Sequence, residues 1–530
     1  MNQDKNPSSI LEYMLKVLDN YNVIQGCGGS TMFILDKIFE IYDTVMYNMR
    51  FLLIPAGGYS QRLPNLSVLG KLFSPLPFGE TRYQMLDLIL AVYLPFLKHM
   101  PPGVFLASSD AIISFSLSDN DSWTFENEGF TALAHPSPVV IGTTHGVYVL
   151  PTNVDVEEGS AFMIRKSTSI IGENEDEEIV FSDSAFFFDH SITKKLIKFY
   201  KNNKPLKCEL SSYGDFLQPL GLSASPSYIL KKITCETLAS LRSALYTDLH
   251  GTKLSILVLK NSNFHHLGTM EEYIESLCCK NKFAEAFPIS RCSFSIFSVQ
   301  ELLSLYIQGT LVHSIVHPLS VIPESSVIEY CDINVAMNIG NNCIISNIQL
   351  DGFAVQRLPF NIPDNTLLHT VILEDGFVTI TFNVLESIKK LYKKENALET
   401  IFFGKKLKVF LTNDENVFSN DCDYVSLWDA KLFPVCPTAE ESFKKTLEII
   451  LCVNECNSSK LNFSLKRQNS KWVSMHDILL LKDTDAMGCS ITVNDAVAGE
   501  SEVQDSLLTS ECSNLELRLR HSFRSIYKDC

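Results

Sequence analysis

The stretch FLLIPAGGYSQRLPNLSVLGK, residues 51–71, decides how the rest of this 530-residue chain is interpreted. Its apolar run Phe51–Ile54 predicts a short buried strand, which Pro55 and the following glycines end with a turn. Because glycine has no Cβ, a phosphate group can approach the backbone N–H groups of Gly57 and Gly58 closely. The sequence therefore predicts an anion-binding loop directly after a strand.

A hydroxyl group and two cations follow these glycines, namely Ser60, Arg62 and Lys71. The planar guanidinium group of arginine suits phosphate, and lysine supplies a mobile positive charge. Two unit charges ~4 Å apart interact by roughly 4 kcal/mol at an effective dielectric constant of ~20, so two phosphorylated ligands need cations between them. The loop lacks the glycine and hydroxyl positions of the common phosphate-binding loop. A glycine turn with scattered surface cations is the alternative that the residue types leave open.

The composition of the chain argues against nucleic acid and membranes as partners. The formal net charge is −17 and 46% of residues are hydrophobic, and the sequence contains no run of Lys and Arg. Nucleic acid is therefore not expected as a partner. The longest apolar stretch, Met85–Leu97, is interrupted by Asp87 and Pro95 and is too short to span a membrane, so no membrane partner is expected. Fifteen irregularly spaced cysteines and no secretory pattern favour reduced thiols and a cytoplasmic location.

The loop is similar to the Gly-Gly-x-Ser-x-Arg…Gly-Lys loop of the fucose-1-phosphate guanylyltransferases, also called GDP-L-fucose pyrophosphorylases. Further similar segments occur in the family's order: TALAHPS (131–137), GTTHGV (142–147), CELSSYGDFLQ (208–218) and NFHHLGTMEE (263–272). The resemblance implies that GTP and β-L-fucose 1-phosphate give GDP-L-fucose and pyrophosphate, with Mg²⁺ as cofactor. It also implies a Rossmann-like sugar nucleotidyltransferase domain, with Arg62 and Lys71 acting on the phosphates.

Asp110 is the predicted magnesium ligand. It follows Val104–Ala107, an apolar run that predicts a buried strand, and ligands of α/β sheets bind at such strand ends. Capping of a helix over Ala111–Phe115 is the alternative, but the family has a metal-binding Asp after this strand. His266 stands where related enzymes often have a metal-binding Asp, so we expect it either to ligate the metal or to contact phosphate or sugar.

The resemblance also implies roles for residues elsewhere. The glycine-rich turn at Gly28, Gly29 and Ser30 precedes a predicted helix, Met32–Tyr42, and resembles a family turn that binds nucleotide; a simple tight turn is the alternative. The implied sugar and sugar-phosphate contacts are His145, Gly146, Lys166, Asp183, Asp215 and His266. The chain departs from the family pattern where Ser167 replaces a Pro and Ser211 replaces an Asp, and in its short segment ahead of the glycine-rich turn.

Beyond about residue 300 the apolar period changes to six. Apolar residues recur at Ile315, Val321, Val327, Ile333, Ile339 and Ile345. This period predicts a left-handed parallel β-helix-like domain, with an antiparallel strand set or coincidence as alternatives. We therefore expect a catalytic domain over residues 1–300, a β-helix-like domain over 301–456, through which subunits could pair, and a peripheral segment over 457–530.

Two other functions fit parts of the pattern. A family member that binds nucleotide without catalysis would explain the short start of the chain and Ser211. A β-helix acyltransferase would need a catalytic histidine projecting from the coils, whereas His313 and His317 precede the repeat.

Overall fold

The chain is seen in a computed structural model. The structure describes residues 26–55, 59–68, 70–78, 83–115, 125, 128–138, 147–148, 156–158, 162–167, 179–231, 237–259, 262–278, 281–297, 306–350, 359–411, 417–418, 423–454 and 471–487. These residues form a mixed α/β structure with parallel strand pairs in two regions. The helices are α1 (Gly26–Tyr42), α2 (Met85–Leu97), α3 (His190–Asn203), α4 (Gly214–Leu217), α5 (Leu238–Leu249), α6 (Met270–Cys278), α7 (Lys282–Ala286), α8 (Ala439–Asn454) and α9 (Met475–Met487).

The first region is built around one sheet of mixed direction. Its strands follow the spatial order β1-β4-β10-β6-β11-β9-β8, with β7 beside β10; β1 and β4 are parallel, as are β6 and β11. The first-region strands are β1 (Arg50–Leu53), β2 (Pro75–Leu76), β3 (Tyr83–Gln84), β4 (Gly103–Ala107), β5 (Ala111–Phe115), β6 (Phe130–Pro138), β7 (Val147–Tyr148), β8 (Val156–Glu158), β9 (Phe162–Ser167), β10 (Ile179–Asp189), β11 (Leu254–Leu259) and β12 (Ser262–His266).

Both faces of this sheet are covered, because alternate residues of a strand point to opposite sides. In β4, Val104 and Leu106 belong to the apolar cluster that contains α1 and α3. Phe105 and Ala107 belong to the cluster that contains α2. The apolar run at 104–107 is therefore a strand buried on both faces, as predicted.

The second region is a stack of parallel strands in three sheets. Its strands, with the flanking hairpins, are β13 (Cys292–Ser293), β14 (Ile296–Phe297), β15 (Thr310–Val312), β16 (Ile315–Val316), β17 (Val327–Glu329), β18 (Asp332–Ile333), β19 (Met337–Ile339), β20 (Ile344–Ser346), β21 (Gln349–Leu350), β22 (Phe360–Ile362), β23 (Thr366–Leu373), β24 (Gly376–Asn383), β25 (Tyr392–Lys393), β26 (Ile401–Phe402), β27 (Lys405–Lys406), β28 (Tyr424–Val425), β29 (Phe433–Pro434) and β30 (Trp472–Val473).

Two successive turns of the stack are 17 residues long, since Thr310 pairs with Val327 and Val327 pairs with Ile344. A strict six-residue period therefore slips by one position in each of these turns. Val327, Ile333, Ile339 and Ile345 are buried, whereas Val321 is 40% exposed, so the predicted apolar repeat is only partly in register with the core.

The regions do not divide where the sequence suggested. Strands β13 and β14, at residues 292–297, already pair in parallel with the stack, ahead of residue 301. Residues 471–487 are not peripheral: β30 pairs with β29, and Met475 and Ile478 are fully buried. One apolar cluster runs continuously from the first region into the second, so the two share a core.

Three further expectations concern other features of the chain. The rings of Phe294 and Tyr330 stack on opposite sides of His313, at centroid distances of 5.1 and 5.4 Å, which does not fit a projecting catalytic base. Cys208 is disulfide-bonded, so the expectation of reduced thiols is wrong at that position. Among the helices that the structure describes, none is long and apolar enough to cross a membrane.

Candidate active site

The ion pair between Lys71 and Asp110 is the centre of the candidate site. Lys71 begins a short 3₁₀ helix, and the φ of +89° at Gly70 suits glycine and turns the chain into it. The Lys71 Nζ atom donates to Asp110 Oδ2 at 2.5 Å, and the Ser108 hydroxyl donates to Asp110 Oδ1 at 2.6 Å. Asp110 lies between β4 and β5, so the alternative of a helix cap is wrong: residues 111–115 form a strand.

Strand pairing brings His266 to the same place. In the antiparallel pair of β12 and β5, His266 lies opposite Ala111, and its Nε2 atom is 3.5 Å from Asp110 Oδ2. A Cβ built on Gly268 would lie 2.2 Å from the His266 ring, so only glycine allows the chain to turn past this histidine. This contact explains the His-x-Gly part of the motif.

Glu272 holds His266 from the other side. Its Oε2 atom accepts from His266 Nδ1 at 2.9 Å and from the backbone N–H of Thr269 at 2.9 Å. The Thr269 hydroxyl accepts from the Glu272 N–H at 3.2 Å, which completes a capping box at the start of α6. The Thr-x-x-Glu signature therefore fixes a helix start and the histidine together.

The pKa values follow from this arrangement. Burial alone would raise the pKa of Asp110, but hydrogen bonding and charge from His266 and Lys71 hold it well below its usual range. Burial alone would lower the pKa of His266, but Asp110 and Glu272 raise it to about 9. Burial raises the pKa of Glu272, yet His266, Thr269 and Arg62 bring it down to about 2. At neutral pH the cluster holds two carboxylates and two cations.

Arg62 lies beside this cluster. Its side chain is exposed, its carbonyl accepts from the N–H of Met270 at 3.0 Å, and its charge acts on Glu272. Arg62 therefore lies near the cluster that contains Lys71 and Asp110.

Lys389 is a cation that sequence reasoning missed. The Lys389 side chain is exposed, yet the surrounding protein removes part of its hydration and lowers its pKa; the charges of Arg62 and Lys71 lower this pKa further, whereas Glu209 raises it. Lys389 therefore lies within electrostatic range of both predicted phosphate-binding cations. It comes from the loop after β24 in the second region, where no motif marks it.

The donor set fits one part of the magnesium prediction. Asp110 is an ionised carboxylate, and Mg²⁺ is often held by one or two carboxylates together with substrate phosphates. Both ring nitrogens of His266 face carboxylates, and its raised pKa keeps it protonated, so it has no lone pair for a metal. The expectation of His266 as a metal ligand is not supported by this geometry. Among the described residues, no three metal-ligating side chains are grouped.

The glycine-rich segment does not form the predicted turn. Helix α1 begins at Gly26, so Gly28, Gly29 and Ser30 lie inside its first turns. The Gly28 N–H donates to Leu210 O at 2.8 Å, and a Cβ there would approach that oxygen to 2.9 Å. The Ser30 hydroxyl donates to Gly26 O at 2.9 Å instead of capping the helix. Close packing on the Leu210 backbone accounts for Gly28, and the nucleotide-binding role stays a prediction.

Asp215 is placed differently from Asp110. It is 1% exposed, forms an ion pair with Arg242 Nε at 2.8 Å, and accepts from the Ser211 N–H at 2.7 Å. A carboxylate engaged in this way within the protein is not arranged to receive sugar hydroxyls, so the predicted sugar contact is not supported. Ser211, which replaces the family's Asp, caps this turn by accepting from the Gly214 N–H at 3.0 Å.

The remaining predicted residues are described only partly. Gly57, Gly58, His145 and Gly146 lie outside the described residues. Lys166 and Asp183 belong to strands β9 and β10, and their side chains lie outside the description. Ser60 has a φ of +47°, and its carbonyl accepts from the Leu63 N–H at 2.7 Å, which starts the loop's compact turn.

Comparison with known proteins agrees with the motif order. A family model described as the fucose pyrophosphorylase domain matches residues 43–438. The fucose-1-phosphate guanylyltransferase of Mus musculus is 34% identical over 508 residues, which cover 87% of this chain and 83% of that protein. The enzyme of that name from Homo sapiens is 32% identical over 530 residues, covering 91% of this chain and 84% of that protein. The chain therefore belongs to the fucose pyrophosphorylase family, the family of the fucose-1-phosphate guanylyltransferases.

Proposed function

We propose that this protein is a fucose-1-phosphate guanylyltransferase, which makes GDP-L-fucose and pyrophosphate from GTP and β-L-fucose 1-phosphate. An oxygen of the sugar phosphate attacks the α-phosphorus of GTP, and the bond from that phosphorus to the departing pyrophosphate breaks. No protein nucleophile is needed. The observation that carries the proposal is the Lys71–Asp110–His266–Glu272 cluster, assembled beside the signature loop in a chain of this family.

The cations supply most of the proposed catalysis. Lys71 and Arg62 neutralise the phosphates that have to meet, and Gly57, Gly58 and Ser60 bind them through the loop. Lys71 is held 2.5 Å from Asp110, so its position is fixed before substrate arrives. Fixed charges of this kind favour a transition state in which negative charge shifts towards the leaving group.

Mg²⁺ is the proposed cofactor, with Asp110 as its protein ligand. When bound, the metal would neutralise charge on the nucleotide phosphates. His266 and Glu272 then act on Asp110 itself: the imidazolium keeps the carboxyl group ionised and oriented. His145, Gly146, Lys166 and Asp183 remain proposed sugar-side contacts, and Gly28, Gly29 and Ser30 remain proposed nucleotide contacts.

The finer architecture is also proposed. The first region is interpreted as a Rossmann-like nucleotidyltransferase domain and the 17-residue stack as a left-handed parallel β-helix through which subunits could pair. Positive φ values recur 17 residues apart, at His313, Tyr330 and Asn347, which supports a coil with one repeated corner. A cytoplasmic location, with GTP and the sugar phosphate as the partners, completes the proposal.

The test is a pyrophosphate-release assay with purified protein and Mg²⁺, in which four nucleoside triphosphates are combined with several sugar 1-phosphates. GTP with β-L-fucose 1-phosphate should give the highest kcat/KM, and EDTA should abolish release. Calorimetric binding of GTP without release for any pair would overturn the proposed activity.

A further inference from the structure

Glu329 is a buried carboxylate of the parallel stack, and it lies against the first region. It ends strand β17, is 1% exposed, and is part of the surface on which helix α6 packs. Carboxylates are seldom buried so completely, because removal from water is costly unless partners replace the lost hydrogen bonds.

The two side-chain donors to Glu329 both come from the first region. Asn65 Nδ2 donates to one carboxylate oxygen at 2.9 Å, and the Tyr273 hydroxyl donates to the other at 2.6 Å. Burial, together with the charge of Glu329, raises the pKa of Tyr273 well above its usual value, so the phenol remains a donor. Both contacts use an oxygen of Glu329 as the acceptor, so the Glu329 carboxyl group imposes one orientation on the Asn65 amide.

Each donor belongs to a segment that carries a site residue. Asn65 is in the turn between Arg62 and Lys71. In this turn the backbone N–H groups of Leu66, Ser67 and Gly70 donate hydrogen bonds to carbonyl oxygens three or four residues earlier. Tyr273 is next to Glu272 on α6, the helix whose start orients His266. One side chain of the second region therefore ties the cation-bearing loop to the helix that supports the Asp110 cluster.

We propose that Glu329 is a positioning residue that sets the loop of Arg62 and Lys71 against Asp110 and His266. The inference rests on the proposed function for its catalytic consequence, but not for its structural one. The parallel stack then contributes to the active site, because the orientation of the loop depends on Glu329, which belongs to the second region.

A charge swap tests the proposal. Asn65→Asp places two carboxylates in one buried contact, and Glu329→Leu removes the acceptor; each should lower kcat at least ten-fold while both KM values stay within three-fold. The double variant N65D/E329Q restores the complementary pairing, since the Gln amide donates to the new carboxylate and its oxygen accepts from Tyr273. Its kcat should return to within three-fold of wild type. Glu324→Leu, at an exposed carboxylate of the same stack, is the matched control.

Hydrogen–deuterium exchange of the substrate-free protein separates this inference from the proposed function. In Glu329→Leu the amides of Leu66, Ser67 and Gly70 should exchange at least ten-fold faster than in wild type. Unchanged protection, or a loss in Asn65→Asp that the double variant does not recover, would overturn the positioning role. Absence of turnover in wild type would overturn only the activity, since exchange still decides the positioning. If Glu329→Leu does not fold, Asn65→Ala removes the donor that belongs to the loop and should show the same faster exchange.

Discussion

Asp110 and Asp215 both have cationic partners and lie in separate clusters of this protein, but their pKa values shift in opposite directions. Asp110 contacts Lys71 and His266, and these two cations hold its pKa well below the usual range despite burial. Asp215 contacts Arg242, and burial raises its pKa because one guanidinium and one N–H group compensate less. The side chains of Lys71 and Asp110 are 14% and 18% exposed and lie at a strand end, whereas the Asp215 side chain is 1% exposed.

This difference separates a site from a structural ion pair. The Asp110 cluster keeps its charged groups near solvent, and the charges of Arg62 and Lys389 act on members of this cluster, which suits a site that must meet phosphates. The Asp215 pair fastens α4 to α5 and is satisfied within the protein. Variants of the first cluster should therefore change turnover, and variants of the second should change stability.

Lys71→Ala should have the largest effect. Loss of one fixed charge at the reacting phosphates should lower kcat about 10²–10³-fold. The fold should persist, because Asp110 keeps its contacts with His266 and Ser108. Pyrophosphate release and thermal melting measure the two effects, with Lys37→Ala, an exposed lysine of α1, as the control. Near-normal turnover would remove Lys71 from the mechanism.

Arg242→Ala should act on stability instead. It leaves the Asp215 carboxylate buried without its charged partner, which should lower the free energy of unfolding by about 3–5 kcal/mol. Turnover per folded molecule should stay near wild type, as measured by urea unfolding and active-fraction kinetics. A collapse of kcat at unchanged stability would instead return Asp215 to the substrate site.

The charge of His266 predicts a pH dependence of stability. Its pKa is about 9 in the folded protein against 6.5 for an unperturbed histidine, so its stabilisation is complete below pH 6.5 and is lost as pH rises through about 9. The shift corresponds to roughly 3 kcal/mol. Urea unfolding between pH 6 and 9.5 should show this decline in wild type and in His250→Gln, but a weaker decline in His266→Gln. Equal slopes in all three proteins would contradict the assigned charge.

The place of Asp110 at the end of a buried strand could be predicted because that information is local: the apolar run Val104–Ala107 lies just ahead of it. Its contacts with Lys71 and His266 join distant segments of the chain, and only the family resemblance placed these residues in one site. The start of α1 was missed because it depends on a backbone contact with Leu210, far along the chain.

The distinction between Asp110 and Asp215 was missed for the same reason. Both follow small residues, and only the distant partners Lys71 and Arg242 separate them. Lys389 and Glu329 could not be predicted, since the docking of the second region on the first brings them to the site. The 17-residue turn was misjudged because a six-residue apolar period drifts out of register by only one position per turn.

Lys389→Ala should show the smallest effect. It tests whether the cluster around Asp110 includes a cation from the second region. An exposed cation near Arg62 and Lys71 contributes ~1 kcal/mol to phosphate binding at most, so KM for one substrate should rise roughly three- to five-fold with kcat little changed. Because solvent screens exposed charges, the rise should shrink at high salt. Lys390→Ala, whose ammonium lies over the Tyr392 ring at 5.3 Å, is the adjacent control and should leave both KM values unchanged. Equal effects from the two lysines would mean that the second region supplies only general charge, whereas an effect confined to Lys389 would make it part of the same cluster as Asp110.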